Sequence, residues 1–176
     1  MDKLALAQAI YASARLTGQF KLRSGQVSDQ YFDKYVFESN PVLLQAIAEH
    51  LAPLIPSGTE ILAGLEMGGI PVATALSLKT GIPVVFVRKK AKTYGTCKLA
   101  EGGSIEGKNV CIVEDVVTTG GQILLSAKDL VDYGAHASNV ISVIERDAIG
   151  RDNLERAGLR FVSLFKMNEL LAASAG

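Results

Sequence analysis

The sequence predicts an α/β domain with a mostly parallel five-stranded sheet flanked by helices, carrying a small N-terminal hood subdomain. Three observations lead there. After residue 60, short apolar runs alternate with helical stretches, the pattern of βαβ units. One such run, Val110-Cys111-Ile112-Val113, leads into the acid pair Glu114-Asp115 and then a hydroxyl- and glycine-rich turn. A buried parallel strand opening its carboxyl end on a crevice has that order. Before residue 60 the alternation is absent, which sets the N-terminal part aside as a separate cover.

The elements follow in chain order. Residues 4–14 are apolar-rich, with Leu6, Ile10 and Ala14 at helical spacing, and are expected to form an amphipathic edge helix. Ala12-Ser13-Ala14 imitates a signal-peptide cleavage site, but Asp2 weakens the charged start and Gln8 interrupts the apolar run. Residues 20–22 and 31–36 read as short antiparallel pieces of the hood. Asn40-Pro41 starts a helix, Asn as N-cap and Pro in the first turn, running to about residue 54. Strands are expected at 61–65, 84–87, 110–113, 140–144 and 160–164. Helices are expected at 70–79, ended by Gly81, at 122–133, closed by Gly134, at 153–157 and at 167–173. The whole reads as one domain over residues 1–176, with hood and edge helix over about 1–40 and the α/β core over about 41–176.

Composition narrows the function classes. The 176 residues, 48% of them apolar, suffice for one sizeable core. Lys+Arg and Asp+Glu both total 18, so the net charge is zero, which argues against a dedicated nucleic-acid binder. No apolar run is long enough to span a bilayer. The two cysteines, Cys97 and Cys111, have neither CxxC spacing nor a His cluster beside them, which argues against a zinc-type site. Cys111 reads as inert core. Cys97 lies in a polar, basic loop, where a free thiol suits a reducing compartment, so a cytoplasmic protein with no membrane partner is expected. His50 and His136 belong to no motif and read as surface or cap residues.

The chemistry concentrates after residue 113. Glu114 and Asp115 bring two charges to a strand end, followed by Val116 and Val117. Thr118, Thr119, Gly120, Gly121 and Gln122 can then wrap a phosphate, with backbone N–H groups and a helix N-terminus turned toward the anion. An acid pair beside a phosphate cradle fits a ligand carrying sugar hydroxyls and a phosphate. The competing reading is a structural acid pair and an ordinary helix entry. The loop from Arg88 to Gly107 is long for a compact domain, and its first half holds Arg88, Lys89, Lys90, Lys92 and Lys98 without an acid. Charge alone makes it a solvated loop; departure from the carboxyl end of a parallel strand makes it a lid.

With these residues in hand, the chain resembles the orotate phosphoribosyltransferases, members of the type I phosphoribosyltransferases. Val110 to Gly121 fits the family motif for 5-phosphoribosyl-1-pyrophosphate (PRPP): apolar strand, two acids, two apolar residues, then Thr and Gly. Phe20-Lys21-Leu22-Arg23-Ser24-Gly25, with Ser28 and Tyr31-Phe32-Asp33, resembles the family's hood. The segment Arg88-Lys89-Lys90-Ala91-Lys92-Thr93-Tyr94-Gly95-Thr96 resembles its mobile catalytic loop, and Val143-Ile144-Glu145-Arg146 the strand end bearing its orotate-binding arginine. Three positions depart from the better-known bacterial pattern: Gly68 replaces a lysine after the first core strand, Tyr94 a histidine, and Arg23 a lysine.

The resemblance implies the type I phosphoribosyltransferase fold and the reaction of orotate with PRPP, giving orotidine 5′-monophosphate and pyrophosphate, with Mg²⁺ held mainly by PRPP and pyrophosphate. It implies catalytic roles for Lys92, Asp115 and Glu114. PRPP would meet Arg88, Lys89, Lys92, Tyr94, the run from Glu114 through Val116, Val117, Thr118, Thr119, Gly120 and Gly121 to Gln122, and the backbone of Gly68 and Gly69. Orotate would meet Arg23, Tyr31, Phe32, Thr118 and Arg146. For Arg146 an ion pair with Glu145 or Asp147 is the alternative, and for Tyr31 and Phe32 a core role. A homodimer with active sites shared between subunits is implied as well. A purine-type phosphoribosyltransferase and a PRPP-sensing regulator that binds without catalysis are the competing functions.

Overall fold

The computed structural model describes residues 1–21, 25–90 and 99–175. Arg23, Lys92, Tyr94, Cys97 and Lys98 lie outside the described residues. The chain opens with helix α1 (Lys3–Ala14), whose N-cap Asp2 accepts the Ala5 N–H at 2.8 Å. Leu6, Ile10 and Ala14 are fully buried, so the spacing read from the sequence marks the face that packs inward. The hood is a two-stranded antiparallel ribbon, β1 (Arg15–Lys21) and β2 (Val27–Phe32), followed by the short helix α2 (Lys34–Glu38). Asp33 caps α2 by accepting the Tyr35 N–H at 3.1 Å. Two expectations need correction here. The first hood strand starts at Arg15 rather than at residue 20, and the stretch 31–36 is extended only to Phe32 before it turns helical.

Helix α3 (Pro41–Leu51) begins as expected: the Asn40 side chain accepts the N–H groups of Val42 and Leu43. A 3-10 turn, Ala52–Leu54, replaces its last expected turn. The core then alternates β3 (Ile61–Leu65), α4 (Gly69–Thr80), β4 (Val84–Val87), β5 (Ala100–Glu101), β6 (Asn109–Val117), α5 (Gly121–Asp132), β7 (His136–Glu145), α6 (Ala148–Arg156), β8 (Arg160–Lys166) and α7 (Met167–Ser174). Gly81, at φ 76°, ends α4 in the left-handed conformation that glycine adopts without a steric cost.

The sheet has six strands, not five, in the order β5-β4-β3-β6-β7-β8. The additional strand is the two-residue β5, antiparallel to β4, inside what the sequence offered as one long loop. The other pairings are parallel. Strand β6 also runs farther than residue 113, so Glu114 and Asp115 belong to the strand itself, which still pairs with β7 at Glu114, Val116 and Val117. Helix α6 begins at Ala148, five residues before the expected start. Among the described residues no helix is long and apolar enough to cross a membrane.

Strand order positions the site. Strand β3 connects through α4 to β4 on one side, whereas its other neighbour β6 connects through α5 to β7 in the opposite direction. The chain therefore diverges between β3 and β6, and open α/β sheets leave a crevice at that point beyond the carboxyl ends of the strands. Two buried clusters flank the sheet. One joins α1, α3, α4 and α7 to it through Leu6, Ile47, Leu76, Ile141 and Leu170; the other packs α5 and α6 against it through Ile123, Leu130 and Leu154.

Candidate active site

Two turns border the crevice. The turn after β3 carries Gly68 and Gly69, and contact with β6 demands glycine at both. A Cβ on Gly69 would lie 2.3 Å from the Val113 carbonyl oxygen, and one on Gly68 would lie 1.7 Å from Oδ2 of Asp115. The sequence had suggested anion contact as the reason for glycine here; close approach to β6 is a separate and sufficient one. The turn after β6 runs through Thr118 and Thr119 to Gly120, which takes φ 75° at the N-terminus of α5. No side chain caps α5, so the turn leaves its first N–H groups open to an anion. Thr118, Thr119 and Gly121 are exposed, Gly120 is buried and Gln122, half-buried, donates to Ser126 at 3.3 Å. Asn153 of α6 steadies the turn by donating to the Thr119 carbonyl at 3.0 Å. Val116 and Val117 are the last residues of β6.

The acid pair is more enclosed than the sequence implies. Asp115 has no exposed surface, and its carboxylate forms an ion pair with Lys34 Nζ at 2.5 Å. Oδ1 of Asp115 accepts the Val116 N–H at 2.6 Å, while Oε1 of Glu114 accepts the Asp115 N–H at 3.0 Å. Glu38, on α2, is 5% exposed, and neither of its oxygens accepts a hydrogen bond among the described residues. Burial pushes the Glu38 carboxyl up to about 10, and its hydrogen bond with Asp115 adds to the rise. Glu38 therefore stays protonated beside the Asp115 carboxylate. Burial likewise raises Glu114 well above the usual carboxyl range, with Asp115 adding to it. Burial raises Asp115 as it does its neighbours, but interactions with Glu114 and Glu38 and the Lys34 charge outweigh it and hold this carboxyl below its ordinary value. Burial also opposes the Lys34 charge, yet Asp115 lifts the ammonium above its usual value. The negative charge of the cluster thus sits on Asp115. Lys34 and Glu38 were not among the residues singled out from the sequence.

The base of the basic loop is tied down. The Arg88 N–H donates to the Leu99 carbonyl at 3.0 Å, extending the β4–β5 ribbon, and Arg88 Nε meets Glu101 Oε1 at 3.3 Å. The Lys89 N–H donates to Glu66 Oε1 at 2.6 Å, which ties the loop to the turn that bears Gly68. The Lys89 side chain is exposed.

A cavity of about 180 Å³ lies beneath the hood, lined among others by Tyr11, Arg15, Tyr31, Phe32, Arg146 and Met167. Tyr31 stacks on Phe20 with ring centroids 5.5 Å apart, and Phe32 packs between Tyr11 and Phe37. Arg146 follows β7 directly, and its N–H donates to the Val117 carbonyl at 2.8 Å. Both acids offered as its partners are engaged elsewhere. Glu145 accepts two hydrogen bonds from Arg151, at 3.0 and 2.6 Å, and that bidentate contact holds its carboxyl below the ordinary range. Asp147 caps α6 by accepting the Ile149 N–H at 3.1 Å. The Arg146 guanidinium has no ion pair or hydrogen bond among the described residues. Tyr31, Phe32 and Arg146 thus share one cavity, whereas Thr118 does not line it. Arg15 lines it too and was not singled out from the sequence. Cys111 is buried, which pushes its thiol up to about 12 and suits an inert core residue.

The phosphoribosyl transferase domain family matches residues 36–150. A curated orotate phosphoribosyltransferase of Nocardioides sp. is 48% identical over 168 residues, covering 96% of this chain and 94% of the relative. The chain belongs to the orotate phosphoribosyltransferase family. A crystal structure of that enzyme from Mycobacterium tuberculosis H37Rv superposes with a TM-score of 0.87 at 30% identity, covering 97% of this chain and 99% of the other. Another structure of the mycobacterial protein, in complex with PRPP, gives 0.82 at 26% identity, covering 97% and 99%.

The charge pattern of the cluster has a consequence for stability. Between about pH 5 and pH 9 the folded chain keeps a proton on Glu38 that the unfolded chain has released. Unfolded chains then bind fewer protons than folded ones, so this residue makes stability fall as pH rises through that window. Glu38→Gln cannot ionise. Melting temperatures of wild type and Glu38→Gln, measured from about pH 5 to about pH 9, should diverge in favour of the variant as pH rises. Parallel curves would contradict the protonated Glu38.

Proposed function

We propose that the chain transfers the phosphoribosyl group of PRPP to orotate, forming orotidine 5′-monophosphate and pyrophosphate, a step of pyrimidine biosynthesis. The supporting observation is the shared crevice edge. Strand β6 ends in an acid pair and an uncapped glycine turn, and the neighbouring strand β7 ends in a guanidinium without a partner among the described residues, facing an aromatic-walled cavity.

The reaction breaks the bond from sugar C1 to the diphosphate and makes one to a ring nitrogen of orotate. Positive charge develops on the ribose as the diphosphate leaves. Glu114 accepts hydrogen bonds from the ribose hydroxyls, as does Asp115 once ligand entry uncovers its buried carboxylate, and the charge on Asp115 favours the cationic sugar. The turn from Thr118 to Gln122 binds the 5′-phosphate with its N–H groups and the start of α5. Arg88, Lys89 and Lys92, with Tyr94 as a hydrogen-bond donor and the turn at Gly68 and Gly69, balance the charge of the departing diphosphate. Arg146 grips the orotate carboxylate in a bidentate fork, and Tyr31 and Phe32 wall the flat ring, with Arg23 completing the hood side. Closure of the basic loop would keep water from the sugar cation.

Mg²⁺ is the accompanying ion in this reading; held mainly by PRPP and pyrophosphate, it would supply Lewis-acid polarisation. Among the described residues no group of three or more His, Cys, Asp or Glu is placed to hold a metal ion. A cytoplasmic site of action belongs to this reading on the sequence expectation that Cys97, in a polar loop, would suit reducing conditions as a thiol.

Three measurements test this reading. Protein mixed with Mg²⁺, PRPP and orotate should consume orotate, followed by the ultraviolet spectrum of the pyrimidine; turnover of hypoxanthine, guanine or adenine instead would select a purine enzyme. Arg146→Ala removes a charged hydrogen-bond pair, so the KM for orotate should rise roughly 10- to 150-fold while that for PRPP changes less than about threefold. Equal changes would make Arg146 structural. Finally, the reading includes a homodimer whose loop serves the neighbouring site. Mixing Lys92→Ala subunits with Asp115→Ala subunits should then restore activity through one intact site per mixed dimer, and no recovery after proven subunit exchange would rule sharing out.

A further inference from the structure

We propose that Lys34 and Glu38, both on the hood helix α2, are positioning residues that hold Asp115 in the orientation the pentose requires. The inference rests on the PRPP reading above. The two residues lie four apart and share one face of α2. Lys34 Nζ approaches Oδ2 of Asp115 to 2.5 Å. Glu38 is buried on the same face of α2, neither of its oxygens has a hydrogen-bond partner among the described residues, and beyond burial itself Asp115 is the acid whose nearby charge raises its carboxyl. The remaining sides are closed as well. The Val116 N–H donates to Oδ1 at 2.6 Å, and Gly68 approaches Oδ2 so closely that a side chain there would overlap it.

With Glu114 beside it, Asp115 has five neighbours, two of which come from the hood. Helix α2 begins one residue after Asp33, and Phe32 before that lines the cavity with Arg146. A shift of the hood around an occupant of the cavity would move Lys34 and Glu38 with it. Within this geometry the hood both walls the base pocket and fixes the acid that receives the sugar.

Direct titration with PRPP and steady-state kinetics, on the full chain, test the idea with three variants. Glu38→Gln keeps a donor toward Asp115; Glu38→Leu keeps volume and removes the donor; Lys34→Met removes the cation at a partly exposed site that tolerates it. Loss of a charged hydrogen bond predicts that Glu38→Leu and Lys34→Met weaken PRPP binding about tenfold or more, while the KM for orotate stays within about threefold and Glu38→Gln stays near wild type. Equal behaviour of Glu38→Gln and Glu38→Leu, or equal changes for both substrates, would overturn the proposal. If Glu38→Leu does not fold, Lys34→Met decides alone: unchanged PRPP binding refutes the role. Wild type that binds PRPP without consuming orotate would fail the catalytic reading and leave this one standing. Wild type that does not bind PRPP would end both.

Discussion

A carboxylate with no exposed surface is the constraint around which this site is built. Removing the Asp115 charge from water is expensive unless a cation and hydrogen-bond donors replace the water. The sheet supplies the Val116 N–H and the neighbouring Glu114 carboxyl. The Lys34 ammonium and the Glu38 proton come from the hood. Docking of α2 against the carboxyl edge of the sheet and completion of the acid site are therefore one event. The same constraint explains Gly68, since any larger residue would take the space that Oδ2 occupies.

A second division of labour separates adjacent residues at the end of β7. Glu145 is buried and is held by Arg151 and by the Ser163 hydroxyl, so it belongs to the frame. Arg146, the next residue, is exposed and free of partners among the described residues. Five charged residues crowd positions 145–152, and sequence spacing leaves several pairings open. The fold chooses among them. Arg151 lies on α6, whose start is capped by Asp147, and this brings its guanidinium back over the strand end to Glu145. With both nearby acids occupied, Arg146 keeps its full hydrogen-bonding capacity for a ligand.

Periodicity carried the core of the fold because long buried strands and capped helices leave strong local signals. Asn40, Gly81 and Gly134 marked element ends where they occur, and Leu6, Ile10 and Ala14 marked the buried face of α1. Weak local signals account for the rest. Strand β5 is two residues long and has no alternation to read. Helix α2 has five residues, too few for a helical period against the aromatic stretch that precedes it. The third strand is expected over 110–113 with Glu114 and Asp115 as its tip; pairing with β7 carries it on to Val117, and neutralisation by α2 lets the acids sit inside it. Lys34 and Glu38 escaped for a related reason. A lysine and a glutamate four residues apart ordinarily form a solvated pair on a helix surface. Here tertiary contact directs both to a third residue.

The two ends of the site also differ in how they are held. Acid and hood form a closed, internally neutralised cluster, whereas the loop base is anchored through backbone N–H groups, with the Arg88 side chain also paired to Glu101. Lys89 is fixed by its N–H to Glu66 and Arg88 by its N–H to Leu99, so the Lys89 side chain keeps its charge exposed. Glu66 lies in the turn that also presents Gly68 to Asp115, and so the anchor of the loop and the back wall of the acid pocket are two ends of one short segment. In the proposed reading, that segment would set the spacing between the acid meeting the hydroxyls of PRPP and the cations meeting its diphosphate, two groups carried on one sugar.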